Sequence, residues 1–417
     1  MKLSPAPPAG LDRRTFLVLC GIMFSALLVR LVVASMAGLG HPFVGDEGDY
    51  AKAASSLAQG HGFAIDGVPT ARRLPGWPAL LAPVFAMLGP DPRVARVFSC
   101  VLGATLTLPL GLVAFRIGGR RAACWAASAA ALFPPLVLYS TQALSETPTV
   151  LWFAVSLLLL FESRIRSTPV LFVLAGFALG MSCLTRGTML AFAPAAMIAM
   201  IVAPSDGLRR ALGSAGLLAC GLGIVLLPWV ARNREVMGQA TLSTQSLTQL
   251  WQGAHPGATG RNRVDWPATK VRISQLGGAG EVEVSRVMGG EATEFIRENP
   301  AEFARLGMIK AWELWKPWSS TVGRTQGIVY ALSSIPLILF GIASGFSASR
   351  TRFERLFLFS GLVLFTGIHM LYTSIARYRI PIDAMLIPYA AVLLAGWLPE
   401  ASRVSVPGAP EHATPGR

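Results

Sequence analysis

"LPGWPALLAPVFAMLG", Leu74 to Gly89, decides how the whole chain is threaded through a membrane. It is sixteen residues long with three prolines, whereas a helix needs roughly 20 apolar residues to cross a bilayer. Longer apolar runs flank it, so counting it as a span reverses the side of everything that follows. The basic clusters arbitrate, because Lys and Arg accumulate in cytoplasmic loops. With 74–89 left out, Arg13-Arg14, "GGRR" (Gly118 to Arg121), "ESRIRS" (Glu162 to Ser167), "DGLRR" (Asp206 to Arg210) and "ASRTRFER" (Ala348 to Arg355) all fall on one side. With it counted, several of them move outside. The patch is therefore read as a juxtamembrane or re-entrant element at the outer interface.

This threading gives an all-α, polytopic membrane protein of about ten spans: 16–37, 93–115, 122–139, 147–162, 169–184, 188–203, 210–231, 326–346, 356–374 and 380–398. The first is too long for the apolar core of a cleaved signal, which suits an uncleaved anchor. Four regions follow. Residues 1–231 form an N-terminal membrane module that includes a first outer loop, 38–92. Residues 232–325 are an outer segment of soluble composition, 326–398 are C-terminal spans, and 399–417 are a cytoplasmic tail. The outer segment contains an amphipathic stretch with Val284, Val287, Met288, Ala292, Phe295 and Ile296 on one face. Asn299-Pro300 breaks it. Trp312, Trp315 and Trp318 then suit an interfacial aromatic belt. A partly helical cap over the outer face is expected.

Composition excludes other classes. The chain is 53% hydrophobic and 14% charged, well below the roughly quarter charged of soluble domains. The net charge of +14 lies in scattered topology signals rather than in a phosphate-tracking stripe, so no nucleic-acid partner is expected. Cys20, Cys100, Cys124, Cys183 and Cys220 sit in apolar segments without CxxC spacing. They give no disulfide framework or zinc site.

With only 22 acids in 417 residues, "FVGDEGDY" (Phe43 to Tyr50) places three within four positions, Asp46, Glu47 and Asp49, on the first outer loop. Charge beside a bilayer is costly without water, a partner or a reaction. "LSETPT" puts Glu146 in the next outer turn, "CLTRGT" puts Arg186 in the third, and "IARYRIPID" puts Arg377 and Arg379 outside. Acids and arginines from four loops thus share one face. An anionic ligand, most simply a phosphate, and a carboxylate ready to take a proton suit that face. Plainer readings compete: Arg379 and Asp383 are four apart and can pair along a helix, Glu47 and Asp49 can be solvated loop charges, and Arg30 can snorkel or line the pocket.

"GDEGDY", "RRLPGWPALLAP", "STQALSETPTVLWF", "LGMSCLTRGTMLAFAP", "LPWVARNREVMGQATLST", "HPGATG" and "RYRIPI" occur in this order over roughly residues 16–398. Together they resemble bacterial GT-C fold glycosyltransferases, in particular the dolichyl-phosphate-mannose-protein-mannosyltransferase-like group with the lipid A aminoarabinose transferase. The resemblance implies an inverting transferase, hexosyl or pentosyl, in the bacterial cytoplasmic membrane. It would move a sugar from a polyprenyl-phosphate donor to a glycolipid, polysaccharide or protein at the periplasmic face. It implies Asp46 as the leading catalytic acid, with Glu146 as the second catalytic candidate, standing where the family pattern has Asp, one methylene shorter. Arg73, with Arg72 adjacent, matches the basic residue before the proline motif, although Leu74 separates Arg73 from Pro75.

The chemistry is consistent with these assignments. A carboxylate base helps a sugar hydroxyl attack, and cations stabilise a leaving phosphate more as its charge grows. Arg72, Arg73, Arg186, Arg377, Tyr378 and Arg379 are the donor-phosphate candidates. Glu47, Trp251 and His255 are candidate sugar or acceptor contacts, the last two within a glycine-rich stretch that also reads as a turn. His41 and His61 are weaker candidates. Asp46 and Glu146 together are hard oxygen ligands that suit a divalent cation, but two carboxylates do not define a metal site. The rivals are a secondary transporter or lipid flippase, which would place charge at the midplane, and a non-catalytic scaffold.

Overall fold

The computed structural model describes residues 10–318 and 323–397; the expected tail at 399–417 lies outside the described residues. Apart from one short hairpin, the described chain's regular structure is helical. Among the described residues, seven helices are long and apolar enough to cross a membrane: Arg13–Ala37, Pro92–Leu132, Glu146–Arg166, Leu208–Met237, Arg324–Phe346, Arg352–Leu371 and Ala376–Trp397. This count is lower than the ten expected spans for two reasons. Pro169–Thr185 and Gly187–Val202 are apolar but shorter. The expected spans at 93–115 and 122–139 fall largely within the single Pro92–Leu132 stretch, whose backbone breaks at Gly119 (φ 77°, ψ −168°). There the chain doubles back, so that a Cβ on Gly111 would meet the Ala123 carbonyl and the Ala127 methyl at 3.3 Å.

Small residues bring other helices into backbone contact. A Cβ on Gly176 would lie 2.0 Å from the Leu218 carbonyl, and one on Gly221 2.0 Å from that of Val173. Helices Pro169–Thr185 and Leu208–Met237 therefore pack main chain against main chain, as small residues permit in lipid. The basic turns meet at one end of the bundle. Arg116 pairs with Glu162, Arg166 reaches the same carboxylate at 3.0 Å, Arg164 donates to the Ala203 carbonyl at 2.9 Å, and Arg350 donates to that of Ile117 at 3.4 Å.

The loop helices and the cap occupy the other end. Helix Asp46–Ala58 runs into the hairpin Ala64–Ile65/Val68–Pro69, turned by Asp66-Gly67 with both φ positive. The deciding patch forms a 13-residue helix, Gly76–Leu88. Trp77 is buried, stacked on Phe98 at 5.9 Å and donating to the Ala143 carbonyl at 3.0 Å. Met87 and Leu88 at the far end are exposed. The element is docked beside the bundle, as a juxtamembrane helix. The cap comprises helices Gln245–Gly253, Asn262–Gln275, Glu281–Glu298 and Pro300–Trp315. They share a separate apolar core in which Met288, Ala292 and Phe295 of the expected amphipathic face are buried.

Buried cations close helix ends. Pro134 and Pro135 have no N–H, so the carbonyls four residues earlier, Ala130 and Ala131, lose their helical donors. Arg30 donates to both at 3.0 Å. It is fully buried, neither snorkelling nor near the outer acids. Arg379 pairs with Asp383 at 2.9 Å and donates to the carbonyls of Leu314, Trp315 and Lys316, which end helix Pro300–Trp315. Lys310 of that helix donates in turn to Met370 and Leu371 at the end of Arg352–Leu371.

Replacing Arg30 by Met should destabilise the protein by about 1–3 kcal/mol for each orphaned carbonyl, with Arg30→Lys intermediate. Thermal unfolding in detergent measures this, and equal melting of wild type and Arg30→Met would refute the capping role. Burial pushes the Lys310 ammonium down to about 8 against the weaker opposing pull of Asp265. A depressed amine pKa penalises the folded state while the group is charged in both states. Stability should therefore rise between pH 8 and 10 relative to Lys310→Met. Parallel pH profiles of the two proteins would contradict it.

Candidate active site

Gly45, at φ 59°, turns the chain into helix Asp46–Ala58. Asp46, Glu47 and Asp49 fall in its first turn, where carboxylates suit the N-terminal dipole. Helical spacing then sends the three acids in different directions. Asp46 faces a cleft of about 310 Å³ lined also by Tyr50, Arg73, Arg186, Arg377 and Tyr378. Asp49 stands beside that cleft and receives Arg72 at 3.0 Å and Arg73 at 2.9 Å. Glu47 turns into the protein, where it holds Arg96 at 2.7 Å and accepts the Ala143 N–H at 2.8 Å. The sugar-contact expectation for Glu47 thus meets a buried ion pair that fixes the first loop to the bundle.

Arg73 reaches Asp46 at 2.5 Å and stacks over the Tyr50 ring at 5.6 Å. Burial would weaken its charge, but Tyr50, Asp46 and Asp49 together raise its pKa above the ordinary arginine value. Burial raises the pKa of the Tyr50 phenol, which keeps its proton and donates to Ser145 at 3.2 Å. On the far wall, one oxygen of Glu146 accepts both Arg186 at 2.5 Å and Arg377 at 2.6 Å. Its second oxygen is buried without a hydrogen-bond partner among the described residues. Arg377 also approaches Asp46 at 3.9 Å, and Arg186 lies over Tyr378 at 4.7 Å. Glu146 itself does not line the cleft; it stands behind the two arginines and fixes them.

The loop carrying Arg72 and Arg73 is fastened by the cap, by helix Leu208–Met237 and by the segment between them. Glu281 accepts the Thr70 hydroxyl at 2.6 Å and the Ala71 N–H at 2.7 Å. Arg232 donates to the Thr70 carbonyl at 2.9 Å, and Ser243 to that of Arg72 at 2.9 Å.

Asp46, Arg72, Arg73, Arg186, Arg377 and Tyr378 therefore come together at the cleft, with Glu146 behind. Arg379 lies elsewhere, closing a helix end. Trp251 and His255 stack on each other at 4.0 Å in the cap core, and Trp251 donates to Glu291. Sequence reasoning missed Tyr50, Ser145, Gln245 and His369. Tyr50 was accessible, being four residues beyond Asp46 on one helix. His369 was not, because nothing in its apolar run marks it. For a divalent cation, the two carboxylates offer a poor fit. Each already accepts a guanidinium, and Arg377 lies within 4 Å of both. No group of three or more His, Cys, Asp or Glu that could hold a metal occurs among the described residues.

Residues 72–231 match the family described as dolichyl-phosphate-mannose-protein mannosyltransferase. The archaeal oligosaccharyltransferase AglB from Archaeoglobus fulgidus, in complex with an inhibitory peptide and a dolichol-phosphate, superposes with a TM-score of 0.57 at 14% identity. The match covers 92% of this chain and 50% of that one, so this chain spans about half the length of its structural relative. ArnT from Cupriavidus metallidurans, bound to undecaprenyl phosphate, gives a TM-score of 0.45 at 15% identity over 89% of this chain and 78% of that one. No curated protein matches by sequence. The chain has the GT-C fold.

Glu47→Ala strands Arg96 in a buried position, and a broken buried pair costs about 3–5 kcal/mol. Its melting temperature should fall well below wild type, whereas Asp46→Asn, at a carboxylate 40% exposed, should melt near wild type. The reverse order would show that Asp46, not Glu47, carries the structural load.

Proposed function

We propose that the protein is an inverting glycosyltransferase that moves a sugar from a polyprenyl-phosphate donor to a lipid, glycan or protein acceptor. The observation that carries this reading is the convergence of Asp46 with Arg73, Arg186 and Arg377, each from a different segment, on one cleft at one end of an apolar bundle. Asp46 takes the proton of an acceptor hydroxyl as its oxygen attacks the anomeric carbon. The bond from that carbon to the phosphate oxygen breaks, its electron pair leaves with the lipid phosphate, and the anomeric centre inverts. Arg73, Arg186 and Arg377 bind the phosphate and stabilise the charge it gains. Arg72, more exposed, reaches the same rim. Glu146 acts through its two arginines, so its role is to position them.

The cleft is at the end opposite the basic turns. By the positive-inside rule this supports a cleft facing the exterior or periplasm of a bacterial cytoplasmic membrane. The polyprenyl tail then stays in lipid while its phosphate reaches the rim. No step requires a metal ion, and no nucleic acid takes part.

Transfer from radiolabelled polyprenyl-phosphate sugars, assayed in membranes, should fall about 10²–10⁴-fold in Asp46→Asn, the range for loss of a general base, with donor binding retained. Glu146→Gln should instead raise the donor KM, because it frees Arg186 and Arg377. Undiminished transfer by Asp46→Asn in normally inserted protein would remove Asp46 as the base.

A further inference from the structure

His369 is buried to 2% exposure in the last turn of helix Arg352–Leu371 and is one of the residues that line the cleft. Nδ1 lies 3.0 Å from the Phe365 carbonyl. A carbonyl can only accept, so Nδ1 carries the proton, and in the neutral ring Nε2 is left as an acceptor. Nε2 is buried with no hydrogen-bond partner among the described residues. The ring is also held rigidly. Phe365 packs at 4.5 Å and Tyr378 at 5.8 Å between centroids, while Lys310 fixes the carbonyls of the next two residues.

Most of the charge lining the cleft consists of donors: Arg72, Arg73, Arg186 and Arg377. Asp46, its carboxylate, is already engaged by Arg73. An unclaimed acceptor in such a place is costly when empty and selective when filled. A phosphodiester offers no hydrogen to it, whereas a sugar hydroxyl or amine does. We infer that His369 Nε2 accepts a hydrogen bond from a hydroxyl or amino group of the transferred sugar, and so reads the sugar rather than its lipid phosphate. This rests on the transferase reading above and adds a specificity-determining residue to it.

The test uses full-length protein in nanodiscs at pH 8, where a phosphate monoester has lost its second proton. Affinity is measured for undecaprenyl phosphate alone and for undecaprenyl phosphate carrying mannose, glucose, arabinose or aminoarabinose. His369→Phe keeps a flat ring without the acceptor, and His369→Gln restores an acceptor at similar reach. We expect His369→Phe to weaken the preferred sugar-bearing lipid about tenfold, the value of one hydrogen bond of roughly 1.4 kcal/mol. It should leave the bare lipid phosphate within about twofold, and His369→Gln should recover most of the loss. Equal weakening of both lipids, or no change for any sugar-bearing lipid that wild type binds, would overturn the inference while leaving the transferase reading intact. If wild type binds none of these lipids, the transferase reading falls, and this inference with it.

Discussion

A carbonyl released from its helix in apolar surroundings must find another donor, and this chain meets that constraint with buried cations. Arg30 serves the two carbonyls that Pro134 and Pro135 release, and Arg379 closes helix Pro300–Trp315. Lys310, carried by the helix that Arg379 closes, caps Arg352–Leu371. The last two links are sequential: the turn after the Arg352–Leu371 helix supplies the arginine that ends the cap helix, whose lysine ends the helix before that turn. The cap is thereby joined to the bundle by charged side chains meeting main-chain dipoles, and the cleft lies beside this joint. Without these contacts, the helix ends would leave unsatisfied polar groups in a low-dielectric region.

The cleft is built in layers. Carboxylates stand behind or beside the arginines and fix them in pairs, at positions a mobile guanidinium would not keep. Glu146 does this for Arg186 and Arg377 with a single oxygen, and Asp49 does it for Arg72 and Arg73. Preorganised charge of this kind needs little rearrangement when an anion arrives or when its charge increases. Asp46 differs from its neighbours in facing the open volume, which is why the proposed proton transfer is given to it and not to Glu47 one residue away.

Much of this was legible in the sequence, and the reasons are physical. Span positions follow from the length of apolar runs, and the placement of 74–89 follows from charge asymmetry. The structure shows that element docked through Trp77. Asp46, Arg73, Arg186 and Arg377 were identifiable because ionisable groups beside a bilayer are expensive enough to stand out. Direction was not legible. Adjacent residues on a helix point about 100° apart, so Glu47 and Asp46 look alike in sequence and have unlike surroundings. Arg379 shares the "RYR" motif with Arg377 yet serves a helix end, a role visible only once the end of a helix more than sixty residues earlier lies against it. The break at Gly119 shows the same limit: its turn was marked by "GGRR", but the reversal is visible only from Gly111 lying against Ala123.

Glu281 ties the shape of the cleft to the cap. Because its carboxylate holds Thr70 and Ala71, the strand of loop leading to Arg73 is aligned partly by a residue more than two hundred positions later. Residues 246–280 between those contacts carry Ser246 and Gln249 to the cleft and Trp251 to the cap core before the chain returns this carboxylate to the loop. The cap is therefore tied to the geometry of the cleft as well as to its own core.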